Sequence, residues 1–265
     1  MRVTRLVLSF VLPAIVLLPC VAQQPAAPDI QAAAILQKSL GALAGGQSLS
    51  DVTLSGTARR VAGSDDDSGT VVLKALASGA GRMDLSLSSG QRSDIQNTSS
   101  GTAAGAWSGP DRVSHSIPEH NLKTDSAWFF PPLTLARFSN AKTCTASYIG
   151  QETRNGLSVL HLTVWLQFPN LDPQGAAFSQ RLSQTEIFLD PSTLLPAAIT
   201  FNIHPDKNAL LDIPVEIRFS DYRPANGVQV PFHVQKYIND SLTLDLQFQQ
   251  VVLNSGLSAT DFAIQ

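Results

Sequence analysis

Residues 228–248 read VQVPFHVQKYINDSLTLDLQF, and they indicate the architecture of the chain. Apolar side chains occupy every second position on both sides of Asn239-Asp240, at Val228, Val230, Phe232 and Val234 before the pair and at Leu242, Leu244, Leu246 and Phe248 after it. A period of two places successive side chains on opposite faces of a strand. Because Asn-Asp is typical of turns, the stretch predicts an antiparallel hairpin with one apolar and one polar face.

The same alternation recurs along most of the chain. The further apolar series are Val52, Leu54, Gly56 and Ala58; Met83, Leu85 and Leu87; Leu160, Leu162, Val164, Leu166 and Phe168; Ile199, Phe201 and Ile203; and Val215, Ile217 and Phe219. Turn-forming residues at 64–69, 88–90, 190–193 and 226–227 separate the strands. A doubly wound parallel sheet would need continuously apolar strands and a helix at each crossover. We therefore predict a mainly β (α+β) fold, built as a single curved antiparallel meander sheet, an incomplete barrel, with an N-terminal helix and a helical lid.

The helical parts are predicted from three segments. In Asp29 to Leu43, apolar residues recur at helical spacing, and Gly45-Gly46 follow as a stop signal. Residues 119–138 resemble a helix, a break at Pro131-Pro132 and a second short helix that covers the sheet. Residues 170–184 form a Pro- and Gly-containing excursion between two strands, and long excursions of this kind often act as lids or binding loops.

The N-terminal segment predicts export. Arg2 and Arg5 precede an apolar run from Leu6 to Leu18, as in a secretory signal, with cleavage near Ala22. Lipid attachment at Cys20 is the alternative, and the preceding proline argues against it. We therefore divide the chain into a signal peptide (1–22), a flexible mature N-terminus (23–28) and one domain (29–265), located in the periplasm or secreted.

Composition and motifs argue against several functions. Loss of Arg2 and Arg5 with the signal changes the formal net charge from −3 to −5, which disfavours nucleic-acid binding. No nucleophile elbow or phosphate-binding loop occurs. His115, Glu119 and His120 lack the spacing of a helical metal motif, so we predict no metal and no cofactor. The remaining motif residues are interpreted as structural: Asp65, Asp66 and Asp67 as an acidic hairpin tip, His161, His204 and His233 as surface histidines, and Cys144 as a small strand residue.

The aromatic segment from Trp128 to Phe138 allows two interpretations. It is core packing beneath a one-sided sheet, or it is a partial cover, hinged at the prolines, that leaves an apolar cavity. In the second interpretation the candidate ligand-binding residues are Leu85, Trp128, Phe129, Phe130, Leu162, Val164, Phe201, Ile217, Phe232, Leu244 and Leu246.

Several of these features resemble the LolA/LppX-like lipoprotein-carrier superfamily. The signal and amphipathic helix lead into Val52-Thr53-Leu54-Ser55-Gly56-Thr57, and a hairpin with an Asp-Pro turn spans Ile187 to Pro196. A later hairpin runs from Phe219 to Pro231, and Val251-Val252-Leu253-Asn254 precede Asp261-Phe262. The resemblance implies an incomplete barrel whose concave apolar face, covered by helices, carries acyl chains. Residues 97–138 depart from the family pattern.

The expected function is that of an exported carrier or sensor, without enzymatic activity, that binds lipid or lipoprotein acyl chains in an apolar cavity. Its expected partners are a lipid or an acylated protein, with transient membrane or membrane-protein contact, and the protein is expected to be a monomer. The alternative is a non-enzymatic structural or protein-interaction module of the cell envelope with a filled core. An outer-membrane barrel is a further alternative, which the N-terminal helix and the excursions disfavour.

Overall fold

The computed structural model describes residues 29–97, 103–140, 143–168 and 170–264. The predicted signal segment and the residues that follow it, up to 28, lie outside these ranges. The helices are α1 (Ile30–Ala44), α2 (Pro131–Asn140) and α3 (Pro173–Ser183), with short 3-10 helices at Glu119–Leu122 and Ala259–Phe262. The strands are β1 (Asp51–Ala62), β2 (Asp65–Leu76), β3 (Gly81–Leu87), β4 (Gly90–Asn97), β5 (Ala104–Ser108), β6 (Ser114–Ser116), β7 (Cys144–Arg154), β8 (Leu157–Leu166), β9 (Thr185–Leu189), β10 (Pro196–Ile203), β11 (Ile213–Ala225), β12 (Val228–Ile238) and β13 (Ser241–Leu253).

All of these strands form one antiparallel sheet. Its order is β6-β5-β4-β3-β2-β1-β13-β12-β11-β10-β9-β8-β7, so strands that are adjacent in the sheet are consecutive in sequence, except where β1 pairs with β13. Within the described ranges, no ladder joins the edge strands β6 and β7, and the sheet is open. The predicted mainly β meander with an N-terminal helix and a helical cover is confirmed.

Turn chemistry fixes the register of the hairpins. Asn239 and Asp240 have φ values of 48° and 60°, and Asn226 and Gly227 have φ values of 49° and 83°. Two consecutive residues with positive φ form the tight turn whose twist matches that of the flanking strands. Both predicted turns are therefore confirmed.

The acidic run at 65–67 lies in a strand and not at the tip of a hairpin, which corrects the prediction. The turn is formed by Gly63 and Ser64, and Ala62 pairs directly with Asp65 at the start of β2. Gly63 has a φ of 61°, so it adopts the left-handed conformation without the steric cost of a Cβ. The acidic side chains can then pair across strands, as Asp66 does with Arg59 at 2.6 Å.

The helices end and begin at capping residues. The carboxylate of Asp29 accepts a hydrogen bond from the Ala32 N–H at 3.0 Å, and Gly45 ends α1 with a φ of 56°. The predicted first helix is confirmed. The predicted excursion at 170–184 contains α3, which starts at Pro173 after the cap Asp172. Proline at the first helical position is favourable, because its missing N–H would be unpaired there anyway.

The core lies between the concave face of the sheet, α1, α2 and the segment that precedes α2. Its largest fully buried side chains include Phe129, Phe130, Leu133 and Leu135 on the helical side and Leu54, Leu73, Leu162 and Ile187 on the sheet. Two small clusters cover parts of the outer face, one around Phe262 of the C-terminal 3-10 helix and one around Phe188. The helical cover therefore packs onto the sheet as predicted, but Pro131 and Pro132 begin α2 and do not break a helix, because proline is tolerated in the first helical turn.

Asp51 fastens the C-terminal tail to the start of β1. It is buried, and its carboxylate accepts hydrogen bonds from the Ser255 N–H at 2.7 Å, the Ser50 hydroxyl at 2.8 Å and the Gly256 N–H at 3.1 Å. Burial opposes ionisation, but these hydrogen bonds outweigh it and hold the pKa of Asp51 below its usual value.

We expect Asp51→Asn to destabilise the protein by about 1–3 kcal/mol at neutral pH, because the new amide group faces hydrogen-bond donors. The lowered pKa stabilises the fold above the unfolded-state value of about 3.9, and this stabilisation is lost as the pH falls through the folded value. Urea unfolding of both proteins from neutral to acidic pH should show the difference shrinking. A difference that stays constant would contradict the prediction, and Asp240→Asn on an exposed turn serves as the control.

Candidate functional site

The structure brings all eleven predicted ligand-binding residues into one apolar cluster. Leu85, Trp128, Phe129, Phe130, Leu162, Val164, Phe201, Ile217, Leu244 and Leu246 are buried, and Phe232 is half-buried against them. Most of them therefore pack against each other between the sheet and the helices. Their proposed contact with a ligand stays a prediction.

The segment that precedes α2 is held by a few polar contacts. The Ser126 hydroxyl donates to the Gly79 carbonyl at 2.8 Å, and the Thr134 hydroxyl donates to the Ala127 carbonyl at 3.0 Å. The Asp125 carboxylate accepts from Arg137 at 3.1 Å. Side-chain contacts of this kind, together with apolar packing, fix the cover without a strand ladder. We call residues 123–140 the lid.

An open pocket of about 490 Å³ lies on the concave face beside the lid. Its apolar wall includes Met83, Leu85, Ile238 and Leu244, which come from β3, β12 and β13. Leu85 and Leu244 belong to the predicted ligand-binding set. The volume lies within the range of about 300–1,000 Å³ that is typical of small-molecule sites. We call this space the concave-face pocket.

The same pocket carries charged side chains that the sequence analysis did not single out. Arg60, Arg92, Asp94 and Lys236 line it, and all four are half-buried. The Lys236 ammonium lies 4.8 Å from the ring centroid of Trp128 in the lid. Burial lowers the pKa of Lys236 and raises the pKa of Asp94, while the attraction between the two charges opposes both shifts. The pocket is thus apolar with an ionic edge.

A positional signal for these residues is present in the sequence. Arg60 continues the inward-facing series of Val52, Leu54 and Ala58, and Lys236 continues the series of Val228, Val230 and Val234. Asp94 pairs with Met83, and Arg92 pairs with Leu85. Because paired residues lie on the same face of a sheet, Asp94 and Arg92 lie on the inward face with Met83 and Leu85. A charged residue in an inward-facing series is the pattern that would have identified them.

A second concavity of about 620 Å³ lies between α1 and α2. Leu40 and Gly41 line it from α1, and Pro132 and Leu133 line it from α2. This concavity therefore lies where the lid contacts the N-terminal helix α1.

The histidines lie in different environments. His161 and His233 lie on the outward face as predicted, with ring nitrogens 2.9 Å from Glu186 and 2.8 Å from Asp245. His204 is buried, at 3% exposure, which corrects its interpretation as a surface residue. The backbone N–H of His204 donates a hydrogen bond to the side-chain oxygen of Asn121 at 2.8 Å. Asn121 belongs to the 3-10 helix before the lid, which packs against the end of β10.

The residues of the rejected metal motif are engaged separately. His115 stacks on Trp107 with ring centroids 4.3 Å apart, and Glu119 accepts a hydrogen bond from Lys123 at 2.9 Å. Among the residues that the structure describes, no three His, Cys, Asp or Glu side chains gather as a metal site would require. Burial raises the pKa of Cys144 to about 11, so its thiol is protonated at neutral pH.

None of the helices in the described ranges combines the length and the apolar character needed to cross a membrane. No family model matches the sequence, and no curated protein matches it.

Several solved structures are similar to this chain. A domain named for outer membrane lipoprotein sorting, from Vibrio parahaemolyticus, is 13% identical with a TM-score of 0.53, and the match covers 88% of this chain and 96% of that one. A DUF1329 family protein from Desulfovibrio piger is 12% identical with a TM-score of 0.50, over 89% and 97% of the two chains. A LolA superfamily protein from Nitrosomonas europaea is 11% identical with a TM-score of 0.46, over 90% and 99%.

The first two similarities extend over nearly the whole of both chains. The open antiparallel sheet with a helical cover is therefore the fold of these two structures, and the prediction is confirmed at the level of the fold.

Proposed function

We propose that this protein is an exported carrier or sensor that binds the acyl chain of a lipid or a lipoprotein beneath its lid. The observation that carries the proposal is the concave-face pocket, whose apolar wall continues into the buried cluster under the lid. The similarity to a domain named for lipoprotein sorting favours the same class of ligand. Binding would occur by apolar burial and not by bond chemistry.

The energetics of burial make such binding feasible without a specific motif. Each methylene group removed from water contributes about 0.8 kcal/mol, so a chain of moderate length supplies useful affinity. Chain ordering and loss of free motion on binding offset part of this gain.

The proposed location rests on the predicted signal peptide, and the proposed partners rest on the proposed ligand. We propose that residues 1–22 direct export, that cleavage occurs near Ala22, and that the protein acts as a monomer in the periplasm or outside the cell. Its partners would be a lipid or an acylated protein, with transient contact to a membrane or a membrane protein during loading. N-terminal sequencing of exported material should begin near residue 23.

Met83→Trp should weaken lipid binding at least about tenfold, because the larger side chain fills the concave-face pocket. Met83 lines this pocket and is half-buried, so the indole can be accommodated at its edge. Titration with a fatty acid that carries a fluorophore at its methyl end measures the affinity. The matched control is Leu157→Trp, because Leu157 is 59% exposed at the start of β8 and is not among the residues that line the pocket.

Mass spectrometry of an organic extract of the purified protein provides a second test. A co-purified lipid is expected in the extract of the wild-type protein. If the extract is empty and the fluorescent fatty acid does not bind, the carrier proposal fails. The alternative, a structural or protein-interaction module with a filled core, would then account for the buried predicted residues.

A further inference from the structure

Cationic side chains meet at one edge of the concave-face pocket. Leu244 pairs with Arg60 on one side and with Lys236 on the other, so the two cations lie on the same row of the sheet and flank an apolar residue. Side chains that are directly opposite in an antiparallel pair have Cβ atoms about 4.5–5.5 Å apart. Arg92 reaches the same pocket from β4.

Two of these cations carry buried nitrogens that lack an acceptor. Within the described part of the chain, Nη1 of Arg60 and Nε of Arg92 are buried and have no hydrogen-bond partner. The next residue in sequence, Arg59, points to the outer face and forms a bidentate pair with Asp66 at 2.7 and 2.6 Å. The guanidinium of Arg59, on the outer face, is thus hydrogen-bonded, whereas the guanidinium of Arg60, on the inner face, keeps a nitrogen that is free to donate.

The nearby carboxylates leave a net positive charge at the pocket. Asp94 lines it, and burial raises the pKa of this carboxyl group. Asp67 pairs with Arg60 across β1 and β2, but its oxygens accept hydrogen bonds from the hydroxyls of Ser88 at 2.9 Å and Ser89 at 2.7 Å. Both carboxylates attract the cations without hydrogen-bonding to the two buried nitrogens.

Buried donors in proteins are almost always paired, and a guanidinium group matches phosphate and carboxylate oxygens in particular. We propose that the concave-face pocket binds an anionic amphiphile, whose phosphate or carboxylate head group accepts hydrogen bonds from Arg60 and Arg92 while its chain lies on Leu85 and Leu244. This inference rests on the proposed function and adds the charge class of its ligand.

The test compares probes that separate the head group from the chain. Oleoyl lysophosphatidic acid carries both, monooleoylglycerol carries the same chain without the phosphate, and glycerol phosphate carries the head group alone. Because Trp107 lines the pocket and Trp128 lies beside it, tryptophan fluorescence can follow binding. We expect lysophosphatidic acid to bind at least about tenfold more tightly than either fragment.

Arg60→Gln and Arg92→Gln should each weaken lysophosphatidic acid binding about tenfold or more, and neither should change monooleoylglycerol binding. Because neither buried nitrogen has a hydrogen bond to lose, the melting temperature should change little. Arg59→Gln is the matched control and should leave binding of all three probes at the wild-type level. Asp94→Asn removes the opposing charge and should bind lysophosphatidic acid at least as tightly as the wild type.

Each other outcome overturns a defined part of the proposal. If lysophosphatidic acid and monooleoylglycerol bind equally, and the arginine variants change neither, the anionic head group is wrong and the carrier function stands. If glycerol phosphate binds as tightly as lysophosphatidic acid, the pocket takes a soluble anion, and the amphiphile is wrong. If none of the probes binds, both the charge class and the carrier function fail.

Discussion

Gly56→Ala is expected to destabilise the protein by about 3 kcal/mol or more, a large part of the 5–15 kcal/mol that stabilises a typical domain. A Cβ atom at Gly56 would lie 2.0 Å from the carbonyl oxygen of Gln247 and 2.7 Å from the Cα of Phe248. Both are backbone atoms of β13, so neither can rotate away. The register of β1 against β13 shifts between Ser55 and Gly56.

The effect should be global because this ladder joins the first and last strands of the sheet. Urea unfolding followed by far-ultraviolet circular dichroism measures it. Gly41→Ala is the matched control: a Cβ there meets no atom within 4 Å, and Gly41 lies exposed in α1. Since alanine is favoured over glycine in a helix by about 1 kcal/mol, this control should stabilise the protein slightly. A Gly56→Ala protein as stable as the wild type would contradict the close approach.

Phe130→Ala is expected to cost about 3–5 kcal/mol, because it leaves a cavity under the lid. Phe130 is fully buried and is followed directly by Pro131, the first residue of α2. Its N–H donates to the Ala127 carbonyl at 2.8 Å. Thermal and urea unfolding measure the loss. Phe178→Ala, at a residue that is 39% exposed on α3, should change stability far less.

The same variant also tests whether the space under the lid is continuous with the lipid site. A dry apolar cavity binds apolar ligands, and a ligand that binds the folded state raises its apparent stability. We therefore expect a fatty acid to restore more stability to Phe130→Ala than it adds to the wild-type protein. Equal stabilisation of both proteins would place the acyl chain away from the lid.

The sequence by itself determined seven of the strands, β1, β3, β8 and β10 to β13, together with two tight turns and the first helix. In residues 228–248, alternation about Asn239-Asp240 predicted two strands and the turn between them, and the structure has all three. Asp29 and Gly45 likewise bound α1. These features depend on side-chain period and on the φ values that a residue allows, which are local properties of the chain. Inward parity also predicted the strand members of the apolar cluster, and the aromatic segment predicted Trp128, Phe129 and Phe130.

Only the tertiary structure decided which distant segments meet. The pairing of β1 with β13, the burial of His204 by the segment around Asn121, and the gathering of Arg60, Arg92 and Lys236 at one pocket all join residues far apart in sequence. Strand parity indicates the face on which a charge lies, but not whether a carboxylate from another strand reaches it. Arg59 and Arg60 are neighbours of the same type, and the folded sheet pairs the first and leaves a buried nitrogen of the second without an acceptor, because side-chain pairing depends on three-dimensional distance.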